Sequence, residues 1–212
     1  FKSKHLEKPD ASAKFLIVQA NIGNQDKLLA ETGGGYRDVV LDRFINKTKE
    51  GLAALPQPDF VVWPETAFPE IIEDPGLNYG YGSRLKTYVQ QMNVKLITGG
   101  YARLPQTGQI TNSFFIIDES GKQMAPPYHK TILLAFGEYF PFADYLPGLK
   151  ENFPEVGNFG RGPGPTVLRA GDLRIGAQIC YEGLFDWFTR QLANQGAQIL
   201  VNVTNDSWYG TW

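Results

Sequence analysis

The chain contains a single cysteine, Cys180, placed where a nucleophile would be useful. The apolar run at residues 174–179 ahead of it reads as a strand, and Tyr181-Glu182-Gly183 after it leads toward a helical pattern. A strand-to-helix elbow exposes its side chain at the sheet edge and aims the following backbone N–H groups at whatever the sulfur attacks, as acyl transfer requires. A lone cysteine is more often an inert core thiol, so Cys180 alone decides nothing. Glu65, in Val61-Val62-Trp63-Pro64-Glu65, stands at the carboxyl end of another predicted strand, where open α/β sheets collect functional groups. Partly desolvated beside a thiol, it would serve as a general base; the plainer alternative is a solvated loop carboxylate. Lys130, in Pro127-Tyr128-His129-Lys130-Thr131, would favour a thiolate and stabilise the negative oxygen of a tetrahedral intermediate, against the usual fate of a surface lysine. Glu138, in Phe136-Gly137-Glu138-Tyr139, either pairs with Lys130 or Glu65 and orients them or is a loop charge.

The competing chemistries have thinner support. His5 falls in a polar leader, so His129 is the sole candidate for a Cys-His dyad, and no papain-type surroundings accompany Cys180. His129 is therefore expected to support or position the site. One cysteine and two histidines give no recognisable zinc spacing, which argues against a metal site. Gly33-Gly34-Gly35 lacks the Lys-Ser/Thr partner of a phosphate loop and reads as a flexible loop.

Elements must bring those residues together. Residues 14–20 and 59–63 read as buried strands, and Pro64 ends the second so that Glu65 opens a loop. Residues 36–55 carry Leu41, Phe44, Ile45, Leu52 and Leu55 at helical spacing, stopped by Pro56 and Pro58. Leu85, Tyr88, Val89 and Met92 mark a second amphipathic helix, followed by a strand at 95–98 that enters Gly99-Gly100. Residues 112–118, the turn 119–122 and the segment leading to His129 suggest one hairpin; 166–170 and 173–179 suggest another. Residues 184–194 read as a helix with Leu184, Phe188 and Leu192 on one stripe, and 198–203 as a last strand. Gly160-Arg161-Gly162-Pro163-Gly164-Pro165 is the one strongly flexible-looking stretch. Helices flanking mixed sheets give an α/β layered architecture.

With 212 residues, one domain is expected, over 13–212 after a polar leader at 1–12. A net charge of -2 gives no basic excess for phosphates, and nucleic acid is excluded as a partner. No window approaches the roughly 18 consecutive apolar residues of a membrane span. The first residue is Phe1 and the last, Trp212, comes shortly after an Asn-Asp turn, which reads as a segment of a longer protein.

In their chain order, Glu65 in Trp63-Pro64-Glu65-Thr66-Ala67, Lys130 in Tyr128-His129-Lys130, and Cys180 in Cys180-Tyr181-Glu182 resemble the Glu-Lys-Cys triad of the nitrilase superfamily. Together with Phe136-Gly137-Glu138-Tyr139 and the run at 202–210, which holds Trp208, they are similar to the motifs of the apolipoprotein N-acyltransferase family. The resemblance implies a four-layer α-β-β-α sandwich, here incomplete at its carboxyl end. It implies a ping-pong acyltransferase in which Cys180 takes a fatty acyl group from a phospholipid as a thioester. The acyl group then passes to the terminal amine of a diacylglyceryl-cysteine lipoprotein. Glu65 would be the base and Lys130 the oxyanion cation, with Glu138, Tyr139, Tyr181, Glu182 and Trp208 as supporting or substrate-binding residues and no cofactor. The domain would sit on the periplasmic face of the bacterial inner membrane, anchored by segments outside this chain. The runner-up is a soluble amidase of the same superfamily that passes the acyl group to water. The aromatic-rich loop at 136–159, with Phe140, Phe142, Tyr145, Leu146 and Phe153, favours acyl chains over a small amide.

Overall fold

The structure, a computed structural model, describes residues 12–23, 36–72, 75–141 and 157–205. His5, Gly33-Gly34-Gly35, Phe142, Tyr145, Leu146, Phe153 and Trp208 lie outside these residues. Strands β1 (Phe15–Ile17), β2 (Phe60–Val62), β3 (Leu96–Arg103), β4 (Ile110–Ile117) and β5 (Tyr128–His129) form one sheet in sequential order. Strands β6 (Val167–Ala170), β7 (Leu173–Ile179) and β8 (Ile199–Val203) form a second. β1, β2 and β3 are mutually parallel, β4 pairs antiparallel with β3, and β5 pairs antiparallel with β4. Helices α1 (Tyr36–Ala54) and α2 (Gly82–Met92) pack outside the first sheet; α3 (Asp186–Asn194) covers the second. The order helix, sheet, sheet, helix is the expected sandwich.

Two apolar cores follow from the two-residue period of the strands. Val61, Trp63, Leu96, Phe115 and Ile117 face α1 and α2, while Phe60, Val62, Ile97, Phe114 and Ile116 face the second sheet. α1 docks through Val40, Leu41, Phe44, Ile45 and Thr48, a helical repeat. Phe44 stacks on Trp63 at 5.1 Å, and the indole N–H donates to the Thr48 hydroxyl at 3.0 Å, satisfying a wholly buried donor. Pro56 lies just past the end of α1, and α2 ends at Asn93 in the left-handed conformation that closes helices. Val61, Trp63 and Phe44 thereby fix the strand end from which Glu65 departs.

The structure corrects four expectations. β3 does not stop before its glycines but runs through Gly99 and Gly100 to Arg103, forming its long antiparallel hairpin with β4. A Cβ at Gly99 would lie 2.5 Å from the Thr66 nitrogen, so glycine there lets the chain after Glu65 cross the strand closely. β5 is only a short partner to β4 at Ser113 and Phe114, although the turn before it forms, with the Asp118 carboxylate accepting N–H bonds from Ser120 and Lys122. Leu184 lies outside the helical stripe and is 77% exposed, because Cys180–Leu184 is a 3-10 turn and Phe185 is extended before α3 begins. Residues 160–165 are anchored, with Gly160 donating to the Ile110 carbonyl at 2.8 Å and Gly162 to that of Lys130 at 2.9 Å.

Candidate active site

Pro64 closes the β2 ladder, and Thr66 takes a positive φ of 49°, turning the chain so that the Glu65 side chain points inward, 6% exposed. Lys130 follows β5 directly, its backbone N–H bonded to the Asn112 carbonyl at 2.9 Å, and it is 2% exposed. Its Nζ lies 3.2 Å from Glu65 Oε1 and 2.8 Å from Glu138 Oε1. Glu138 is presented by the tight turn 134–139, whose Leu134 N–H donates to its second oxygen at 2.8 Å. Glu138 is thus the partner of Lys130 rather than a loop charge.

Burial is the largest influence on Lys130 and works against its charge. The Glu65 and Glu138 carboxylates outweigh it, and its pKa stands above the ordinary lysine value. Lys130 therefore remains an ammonium, unsuited to take a proton and suited to stabilise negative charge. An ion cluster this dry persists only where the remaining lone pairs are satisfied. Asn112 Nδ2 donates to Glu65 Oε1 at 2.7 Å and to Glu138 Oε1 at 3.2 Å, and the Asn205 N–H donates to Glu65 Oε2 at 3.1 Å.

Cys180 lies at the end of β7 with φ of 51°, a conformation costly for a residue with a side chain and one held by its surroundings. Its carbonyl accepts from Asn202 Nδ2 at 3.1 Å on neighbouring β8. Burial and then the Glu65 charge push the thiol pKa up; a hydrogen bond with the Thr204 side chain, the Lys130 charge and the Tyr181 N–H partly oppose them. The charges of Glu65 and Lys130 both act on the sulfur. The raised pKa describes a group that rests as a thiol, with a carboxylate charge acting on it.

Glu182 ties the two sheets together beneath this centre. It is wholly buried, and its Oε1 accepts from the Tyr128 hydroxyl at 2.7 Å, the Thr131 N–H at 2.6 Å and the Ile132 N–H at 3.0 Å. Its Oε2 accepts from Ile179 N–H at 2.9 Å, so one carboxylate spans the Lys130 segment and the Cys180 turn. Burial raises its pKa despite these four donors, and burial also drives the Tyr128 phenol well above its ordinary value.

The other expected residues sit further out. His129 turns away on β5, its Nδ1 within 2.8 Å of the Thr111 hydroxyl and 3.0 Å of the Ser113 hydroxyl, with its pKa lowered by burial. Tyr139 lies under the Arg161 guanidinium, 4.6 Å from the ring centre, and accepts the Phe136 N–H through its carbonyl. The Tyr181 ring packs edge-on against Phe185 at 5.1 Å. Phe136 and Phe140 pack together, and Phe136 is 65% exposed beside the turn carrying Glu138. Asn112, Asn202, Thr204 and Asn205 were not singled out from sequence. Asn202, Thr204 and Asn205 fall within the 202–210 motif, whereas Asn112 carried no local signal. Among the described residues, no group of His, Cys, Asp or Glu side chains is disposed to hold a metal ion, and no helix is long and apolar enough to cross a membrane.

Residues 18–211 match the carbon-nitrogen hydrolase family. An apolipoprotein N-acyltransferase from Bdellovibrio bacteriovorus is 43% identical over 98% of this chain and 40% of its own length. One from Geobacter metallireducens is 29% identical over 99% of this chain and 39% of its own length. The chain therefore spans about two fifths of these relatives. Among solved structures, a carbon-nitrogen hydrolase from Helicobacter pylori superposes with a TM-score of 0.62 at 19% identity, covering 91% of this chain and 59% of that one. A nitrilase-superfamily protein from Saccharomyces cerevisiae gives 0.61 at 18% identity, over 91% and 65%. At such identities these structures speak to the fold, which they share.

Proposed function

This chain belongs to the carbon-nitrogen hydrolase family, and from that premise we propose that it carries the catalytic centre of an N-acyltransferase acting on lipoproteins. The observation that carries the chemistry is the Glu65–Lys130–Glu138 cluster, in which the charges of Glu65 and Lys130 act on the Cys180 thiol. The names of the relatives support the acceptor.

Glu65 takes the Sγ proton as the sulfur bonds to the ester carbonyl carbon of a phospholipid. The Lys130 ammonium and a backbone N–H stabilise the oxyanion. The carbon–oxygen bond then breaks, and the lyso-phospholipid leaves with the proton returned from Glu65, giving a thioester on Cys180. In the second half, the terminal amine of a diacylglyceryl-cysteine attacks that thioester. Glu65 accepts the amine proton, the carbon–sulfur bond breaks, and the proton returns to Cys180. Glu138 holds Lys130 in place throughout, and Glu182 keeps the cation and nucleophile segments in register. The exposed Phe136 beside the Glu138 turn suits the approach of an acyl chain. The location that fits these substrates is the periplasmic face of an inner membrane.

The test is to incubate the full-length membrane protein with phospholipid and measure the mass of the Cys180 peptide. A fatty acyl adduct is expected, and it should disappear in Glu65→Gln and transfer to an added diacylated lipopeptide. Normal N-acylated product from an enzyme whose Cys180 is never modified would overturn the mechanism. Rapid hydrolysis of a short amide with phospholipid ignored would assign the site to an amidase instead.

A further inference from the structure

We infer that Asn112 is a positioning residue of this site, holding the two glutamates around Lys130 as separate carboxylates so that Glu65 is kept in place as the base. The inference deepens the acyl-transfer reading and rests on it. Glu65 and Glu138 direct their Oε1 atoms at the same Lys130 Nζ, 3.2 and 2.8 Å away. Two carboxylates so close, with a single cation between them, carry one uncompensated negative charge and repel each other. Left unopposed, that repulsion would push Glu65 out of the place from which it acts on Cys180.

The Asn112 amide prevents this from the centre of β4. Its Nδ2 donates to both Oε1 atoms, at 2.7 and 3.2 Å, so each is satisfied by a neutral donor as well as by the ammonium. A second cation in its place would neutralise the cluster and weaken Glu65 as a base; an amide adds donors without adding charge. The same residue supports the Lys130 backbone through its carbonyl, at 2.9 Å. The second oxygen of Glu65 accepts the Asn205 N–H at 3.1 Å, so the carboxylate is held from both ends.

The amide's other end supplies a second, independent observation. Asn112 is 4% exposed, and among the described residues its Oδ1 is the buried side-chain polar atom with no hydrogen-bond partner. Buried amides normally rotate to satisfy both ends. Here rotation would aim Oδ1 at two carboxylates, so the electrostatics of the pair fix the orientation and the orphan acceptor is tolerated. The titratable and charged groups facing this arrangement are Glu65 after β2, Lys130 after β5, Glu138 in the following turn and Cys180 after β7.

The experiment measures the burst of p-nitrophenolate released when the full-length enzyme is acylated by p-nitrophenyl butyrate, as a function of pH, for wild type, Asn112→Leu and Asn112→Asp. Asn112→Leu removes the donors, and the acid limb of the burst rate should move up by about one pH unit, a roughly tenfold loss on that limb. Substrate half-saturation should be little changed. Asn112→Asp keeps the shape and adds a third carboxyl, and should move the limb at least as far. It also guards against a Leu variant that fails to fold. Limbs that superpose on wild type, with only the melting temperature lowered, would overturn the positioning role. A wild-type enzyme that gives no burst on Cys180 would instead sink the acyl-transfer reading beneath it, so the two failures are distinguishable.

Discussion

The electrostatics at Cys180 set two opposing demands on one sulfur. Burial and the neighbouring Glu65 carboxylate disfavour the thiolate, while Lys130, the Tyr181 N–H and the bond with Thr204 favour it. The balance leaves a raised pKa, so simple alkylation by iodoacetamide should be slow at neutral pH and should rise above the usual thiol midpoint. Replacing Glu65 by Gln removes the second-largest cause of that rise. The alkylation midpoint should therefore fall, even as acylation by phospholipid ester is lost, because the thiolate becomes more abundant while no carboxylic acid remains to return a proton to the leaving alcohol. A midpoint unchanged in Glu65→Gln would show that the carboxylate does not act on the sulfur. Glu182 makes the complementary case, since its work is structural. Glu182→Ala would leave the Thr131, Ile132 and Ile179 N–H groups buried and unpaired, at a cost of about 3 kcal/mol or more in urea unfolding.

Each chemical group is carried on the end of a strand, and the strands owe their positions to contacts made elsewhere. Gly99 shows how little room there is. A Cβ there would lie 2.5 Å from the Thr66 nitrogen and 2.6 Å from Glu65 Cα, forcing the Glu65 segment away from β3. Gly99→Ala should cost about 2 kcal/mol in stability and depress the ester burst beyond what unfolding explains. Gly23→Ala, where a Cβ would meet nothing within 4 Å, should do neither. An equal effect from both would mean that the crossing of the Glu65 segment over β3 is not what positions the base. Gly162 plays the same part for the cation, its Cα passing so near the His129 carbonyl that a Cβ would lie 2.0 Å from it.

Across the whole molecule, Glu65 and Lys130 belong to the first sheet and Cys180 to the second, so the site exists only while the two sheets stay in register. The inner core of Ile97, Phe114, Ile116, Ile175, Ala177 and Ile179 sets that register, and the outer core under α1 and α2 does not touch it. Phe114→Ala and Phe44→Ala should each cost about 3–5 kcal/mol of stability. Under conditions where both variants remain folded, only Phe114→Ala should slow acylation of Cys180. A matched slowing in both would show that the outer core contributes equally to the geometry of the site.

The order of strands and helices, the short apolar runs of β2 and β7, and the punctuation by Pro64 and Pro56 were legible in the residues because each is a local property. So were Glu65, Lys130 and Cys180, since each stands at a strand end in a distinctive short motif. The partner of β4 was not legible, because a Gly-Gly pair reads as a strand end until the chain crossing over it is known. Leu184 was misplaced for a similar reason: helical spacing cannot reveal that Phe185 is extended and resets the phase. Asn112 had no signal at all. An amide on a buried strand acquires its meaning only when two carboxylates, one 47 residues before it and one 26 after it, arrive at the same nitrogen, and that convergence is made by packing.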